Sequence, residues 1–164
     1  MAGEHPSGEQ ADLGQRLVSL HEVITRLRRE CPWDRAQTHA TLAPYALDEA
    51  SELAEALQAA EEALSGDAHH AATAIEDLVS ELGDVLLQVL MNAAIGEQAG
   101  TFTLAEVLET VEAKMLRRHP HVFERDPDAP EPTDDELSVQ WEAIKAAERA
   151  ARAQRIAARE ARTS

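Results

Sequence analysis

The chain has 164 residues, enough for one domain with its own core plus tails, and 44% hydrophobic content with only 3% aromatics favours packed helices of Leu, Ala, Val and Ile over sheets. A formal net charge of -16 argues against binding nucleic acid or an anionic membrane through a general field, so a triphosphate ligand would need a metal. No apolar run near 18 residues and no leader-like segment is seen, and the single cysteine, Cys31, closes no internal disulfide, so a cytoplasmic protein is expected.

Residues 1–11 carry Gly3, Pro6, Ser7 and Gly8 with little apolar content and are expected to be a disordered lead-in to a helical domain over residues 12–146. From Asp12, Leu13, Leu17, Leu20, Ile24 and Leu27 recur at steps of three and four and predict a core helix to about Arg29. Cys31-Pro32 ends it. A loop to about Ala43 follows, rich in polar and aromatic side chains, with Trp33 either a lid over the core or a surface for a ligand.

Pro44 fits the first position of the second helix, which runs to about Leu64. Its core stripe reads Leu47, Ala50, Leu53, Ala54 and Leu57, and Asp48, Glu49, Glu52 and Glu55 lie on the other side. Ser65-Gly66-Asp67 is a turn. The third helix, about His70 to Glu97, puts Ile75, Leu78, Val79, Leu82, Val85, Leu86 and Val89 on its core stripe and Asp77, Glu81, Asp84 and Gln88 on a neighbouring face. Gly83 inside it costs about 1 kcal/mol relative to alanine, which invites a close approach of backbone or ligand as the reason.

Thr103 and Glu106 form a capping-box signature for a fourth helix to about Arg118, and Thr133 and Glu136 form another for a fifth, striped by Leu137, Trp141 and Ile144. Between them His119-Pro120 leaves the helix, and three prolines among acids make a linker. Residues 147–164 are a basic Ala/Arg/Glu tail, expected to be an exposed helix that frays. The fold class is all-α, a bundle of about four core helices with a C-terminal helix.

The chemistry gathers in two carboxylate pairs, Glu49 with Glu52 and Glu81 with Asp84. Three residues turn a helix by about 300°, so each pair shares a face, and two such helices side by side make an all-oxygen patch suited to Mg²⁺, with Mn²⁺ as substitute. No glutamate has a histidine three residues on, as a di-iron bundle needs, and no cysteine pair or His-Glu-x-x-His supports zinc. Lys114 with Arg118, and Trp141 with Lys145, are each four apart on one helical face and supply cations for phosphate and a ring for a base.

In order, Cys31-Pro32-Trp33-Asp34, Gln37-Thr38-His39, Pro44-Tyr45, Glu49-x-x-Glu52, Glu81-Leu82-Gly83-Asp84, the stretch Lys114 to Phe123 and Trp141-x-x-x-Lys145 resemble the MazG-type nucleoside triphosphate pyrophosphohydrolases over roughly residues 17–145. The resemblance implies an all-α bundle, at least dimeric, that hydrolyses nucleoside triphosphates to monophosphate and pyrophosphate with Mg²⁺ and clears aberrant nucleotides. It implies Glu49, Glu52, Glu81 and Asp84 as metal ligands, Lys114 and Arg118 as phosphate grips, and Trp141 and Lys145 as nucleotide contacts. Trp33 is a further stacking candidate, and Asp48 and Glu52 are candidates for the base that takes the proton of water. The chain departs from the family in having aspartate at Asp48, 28 residues between Glu52 and Glu81, and length for a single module, which makes homodimerisation the expected completion of the bundle. The alternative function is a catalytically idle module that binds nucleotides or partners.

Overall fold

A computed structural model of the protein describes residues 8–66, 68–126, 128 and 130–163. The described residues form seven helices and no strand, so the all-α expectation holds. Most of the expected lead-in, residues 1–7, and Asp67 of the expected turn lie outside them. The chain divides into two compact units, residues 1–107 and 108–164.

In the first unit α1 (Gly8–Glu30) starts four residues ahead of Asp12. Its stripe is only partly a core stripe: Ile24 is buried and Leu17 packs beside it, but Leu13, Leu20 and Leu27 are exposed. The next step along the stripe is Arg28, buried yet satisfied. Its guanidinium donates to the carbonyls of Asp34 and Gln37 and to the Gln98 side chain, the last two at 2.9 and 2.8 Å. A buried charge is tolerated only when its donors are taken up in this way. One consequence is that the expected loop is not structureless. Residues Pro32–Ala36 wind into a short helix, α2, held by Arg28, with Cys31 as its N-cap and Pro32 at its first position.

The helix α3 (His39–Leu64) starts five residues before Pro44. Thr38 sets that start through a reciprocal cap: its hydroxyl accepts from the Thr41 N–H at 3.2 Å, and its own N–H donates to the Thr41 hydroxyl at 2.8 Å. Pro44 therefore sits inside the helix and leaves the Ala40 carbonyl without its ladder donor, and both residues are solvent-exposed, where water can take its place.

Helix α3 packs along α4 (Ala68–Ala99), and the packed faces differ from those expected. On α3 the inward positions are Leu42, Glu49, Leu53, Ala56, Ala60 and Ala63; on α4 they are Ala71, Ala74, Leu78, Glu81, Val85 and Gln88. Steps of three, four and seven make these seams of coiled-coil type, in which five alanines and two glutamates stand among the larger residues. The expected core stripes are largely turned outward: Leu47 is 74% and Val79 64% exposed, and Leu57, Ile75, Leu82, Leu86 and Val89 are exposed too. Alanine allows close backbone approach, so the small seam becomes the inner one and the acids meet within it. The apolar core lies towards the other end of α4, where Leu90, Met91, Ala93 and Ala94 join Ile24, Leu42 and Leu104.

α4 is long and apolar enough to cross a membrane by length and composition, contrary to the expectation that no such stretch exists. That composition has a local reason: the helix carries an apolar outer seam as well as the buried core residues at its other end. Its end is a glycine cap: Gly100, at φ +65°, lets the Thr101 N–H reach back to the Gly96 carbonyl at 2.9 Å. No backbone closes on Gly83, one of the two reasons expected for it, and the close approach within the protein is at Gly96. A Cβ on Gly83 would meet nothing within 4 Å, whereas one on Gly96 would lie 2.7 Å from the Phe102 ring.

α5 (Leu104–Arg118) begins with the expected capping box, Thr103 donating to Glu106 through N–H at 2.8 Å and hydroxyl at 2.9 Å. In the second unit the His119-Pro120 break holds, followed by a single turn, α6 (Pro120–Phe123). Thr133 caps α7 (Asp134–Thr163) in the same way as Thr103, and its N–H and hydroxyl hold the Glu136 carboxyl below the usual range. α7 runs unbroken through residue 147. Leu137, Trp141, Ile144 and Glu148 mark its half-buried face, as the i, i+4, i+7 pattern requires.

Candidate functional site

Glu49 and Glu52 on α3 and Glu81 on α4 offer carboxylate oxygens that all lie within 4.8 Å of one another. The inner seam brings this about: Glu49 and Glu81 occupy seam positions of α3 and α4, and Glu52, one turn beyond Glu49, reaches them from the exposed edge. Glu49 and Glu81 are half-buried and Glu52 is exposed. Partial burial first, then the charges of Asp84, Glu52, Glu81 and Asp48, push the Glu49 carboxyl above its ordinary range. Burial, Glu52, Asp84 and Asp77 do the same to Glu81. Asp84 is thus close enough to be felt by both, though its oxygens fall outside the tight group of three. Asp48 is exposed and acts on Glu49 only as a neighbouring charge.

A divalent cation fits this group. Glu81 Oε2 is buried and has no hydrogen-bond partner, which is costly for a carboxylate oxygen and is relieved by a cation. The donors are all oxygens, the set that hard cations take.

The predicted cationic and aromatic residues come together in the second unit. The Arg118 guanidinium lies 5.0 Å from the Trp141 ring centroid and the Lys145 ammonium 5.9 Å from it. His119 leans on the same ring at 6.2 Å. Lys114, Arg118 and Lys145 line one groove, of about 850 Å³, with further arginines of α7. Trp33 is not part of either group: on α2 it is 53% exposed and meets Tyr45 edge-to-face at 6.0 Å.

Two residues of consequence were not singled out from the sequence. Glu148 accepts from Arg118 Nη2 and from Arg117 Nη2, each at 2.5 Å. The signal for it was present, since Trp141, Lys145 and Glu148 follow at i, i+4 and i+7. Arg28, which holds the segment bearing Trp33, follows Ile24 by four and continues an apolar stripe, a position where a charge calls for partners.

The profile of the MazG nucleotide pyrophosphohydrolase domain matches residues 37–123, a span that contains all four acids together with Lys114 and Arg118, while Trp33, Trp141 and Lys145 fall outside it. Among curated proteins, the chain is 40% identical over 146 residues to the uncharacterized protein YabN of Bacillus subtilis (strain 168), covering 88% of this chain and 27% of that one. It is 38% identical over 141 residues to the nucleoside triphosphate pyrophosphohydrolase/pyrophosphatase MazG of Thermotoga maritima, covering 86% and 47%. It is 35% identical over 142 residues to the nucleoside triphosphate pyrophosphohydrolase of Escherichia coli (strain K12), covering 87% and 48%. The chain thus spans about half or less of these relatives' own length. With more than half of its residues matched by the domain profile and its acids converging between two helices, this chain belongs to the MazG nucleotide pyrophosphohydrolase domain family.

Proposed function

We propose that the protein is a Mg²⁺-dependent nucleoside triphosphate pyrophosphohydrolase of the cytoplasm that clears aberrant or surplus nucleotides. The observation that carries this reading is the convergence of the Glu49, Glu52 and Glu81 oxygens within 4.8 Å, with one buried Glu81 oxygen lacking a partner. Glu49, Glu52 and Glu81 would hold the cation, with Asp84 beside them. Mg²⁺, or Mn²⁺ in its stead, supplies charge neutralisation and Lewis acidity towards the phosphate chain when bound.

The chain's own groups do the rest. Lys114, Arg118 and Lys145 balance the charge of the triphosphate, and Trp141 gives the nucleotide an aromatic contact, with Trp33 as a second exposed ring. Water attacks the α-phosphorus, its proton passes to a carboxylate, and the bond from the α-phosphorus to the α,β-bridging oxygen breaks, leaving nucleoside monophosphate and pyrophosphate. Glu52 is the better of the two candidate bases, because it is the exposed member of the cluster, whereas Asp48 lies outside it.

The outward seams of α3 and α4 support a homodimer, since Leu47, Val79 and Leu82 are exposed there and gain by being covered. The test of the reaction is a product assay with Mg²⁺ over ribo- and deoxyribonucleoside triphosphates. Pyrophosphate and monophosphate are expected, and Glu52→Gln is expected to abolish them with its helical circular dichroism intact. Orthophosphate alone, or full activity in that variant, overturns the reading.

A further inference from the structure

Among the residues lining the groove of the second unit, Glu148 is the sole carboxylate, set among cations that include Lys114, Arg117 and Arg118 of α5 and Lys145, Arg149 and Arg152 of α7. It is fully engaged. Arg118 donates to it from Nε, 3.2 Å from either oxygen, and from Nη2 at 2.5 Å, and Arg117 donates from Nη2 at 2.5 Å. The three side chains differ in exposure: Arg118 is 18% exposed and Glu148 23%, while Arg117 is 54% exposed. The pair that matters is therefore the more sheltered one, Arg118 with Glu148.

A guanidinium has five N–H donors in one plane. Two features fix that plane in Arg118. Glu148 takes its Nε–Nη2 edge, and the Trp141 ring lies against it at 5.0 Å. The edge left with both N–H groups uncommitted among the described residues is that of Nη1. Without Glu148, Arg118 would face the positive charges of the same groove with no anion to order it, and a phosphate would have to order the side chain as it bound.

We propose that Glu148 is a positioning residue that holds Arg118 with its Nη1 edge, rather than its Nε–Nη2 fork, presented to the phosphate chain of the substrate. This rests on the reading of Arg118 as a phosphate ligand. Hydrogen bonds from Arg118 and then Arg117 hold the Glu148 carboxyl down to about 2, so it stays ionised throughout any ordinary assay range. Glu148 is accordingly a constant brace and not a pH switch.

A purely structural clamp between α5 and α7 would give the same contacts, so the test reads phosphate binding and its coupling to Arg118. Inorganic tripolyphosphate is titrated calorimetrically into the full chain in metal-free buffer, where the acidic cluster has no cation through which to bind it. KM and kcat for a turned-over triphosphate are measured in parallel. Glu148→Gln is expected to weaken tripolyphosphate binding about tenfold and raise KM similarly with kcat little changed, and Glu148→Asp to recover part of the loss. Added to Arg118→Ala, Glu148→Gln is expected to do nothing more. Unchanged or tighter binding in Glu148→Gln overturns the proposal, as does a loss that adds in full to that of Arg118→Ala. If Arg118→Ala itself leaves tripolyphosphate binding and KM unchanged, the reading of Arg118 fails and takes this one with it. Loss of all turnover with the binding pattern intact would count against the proposed reaction alone.

Discussion

Glu81 shows how one side chain can oppose the fold that presents it. Its carboxyl is pushed up by burial and by Glu52, Asp84 and Asp77, and one oxygen is buried without a partner. Between the ordinary carboxylate range and the raised value the folded chain holds more protons than the unfolded one, so in the metal-free protein this group's penalty grows as pH rises through that window. Glu81→Gln is therefore expected to melt above wild type at neutral pH without metal. Adding Mg²⁺ at about 100 times its Kd should stabilise wild type by about 2.7 kcal/mol and the variant much less, read by thermal melts with and without the ion. Glu148 has the opposite sign. Arg118 and Arg117 hold it at about 2, so its contribution is present above the ordinary range near 4.5 and is lost as pH falls towards 2. Melts of wild type and Glu148→Gln should differ at pH 7 and converge at the acid end. The four acids could be read from the sequence because their spacing alone puts each pair on one face. The partner that Arg118 takes is legible only in part: Glu148 shares a helical face with Trp141 and Lys145, but which α7 residue reaches across to α5 depends on how the two helices pack.

The element boundaries that the sequence predicts well are those with a capping signal. Thr103 with Glu106 and Thr133 with Glu136 start helices where expected, and the reciprocal Thr38–Thr41 cap, not Pro44, starts α3. A proline favours a first helical turn but does not define one, and a good cap five residues earlier outweighs it. Which face a helix buries was harder to read. Periodicity marks α3 and α4 as amphipathic, yet each has two seams, and counting large apolar residues selects the outer one. The inner seam is chosen by the closeness that alanines permit, a property of the pair and not of either helix. Glycine inside α4 likewise has to be read in place. Gly96→Ala would set a methyl 2.7 Å from the Phe102 ring, which is itself stacked on His39 at 5.9 Å, so the ring can give way only by giving up that contact. Overpacking of about 1–3 kcal/mol is expected to outweigh the gain in helix propensity of about 1 kcal/mol. Gly83→Ala meets nothing within 4 Å and should gain up to about 1 kcal/mol. Urea unfolding of the two variants should thus move in opposite directions.

Across the whole molecule the contrast is between a small core and a large uncovered apolar surface. Eight apolar side chains are buried among the described residues, while 24 large ones are exposed. Single exposed leucines are ordinary, but Ile75, Val79, Leu82, Leu86 and Val89 are all exposed at alternating steps of four and three, the spacing of a helix seam that wants a partner. A net charge of -16 would keep such a surface soluble without covering it, and like charges on two copies would oppose their approach at low salt. A second copy can offer the same seam in return, and a two-fold interface is self-complementary by construction. Two consequences can be measured together. Light scattering of the wild-type chain should give at least twice the 17.9 kDa mass of the chain, with association strengthened by moderate salt. Leu82→Glu with Leu86→Glu, one turn apart on that seam, should give the mass of a single chain and a lower melting temperature, while circular dichroism stays helical. A wild-type chain that scatters as a monomer would leave the seam without its second copy, and the small core would then have to sustain the fold alone.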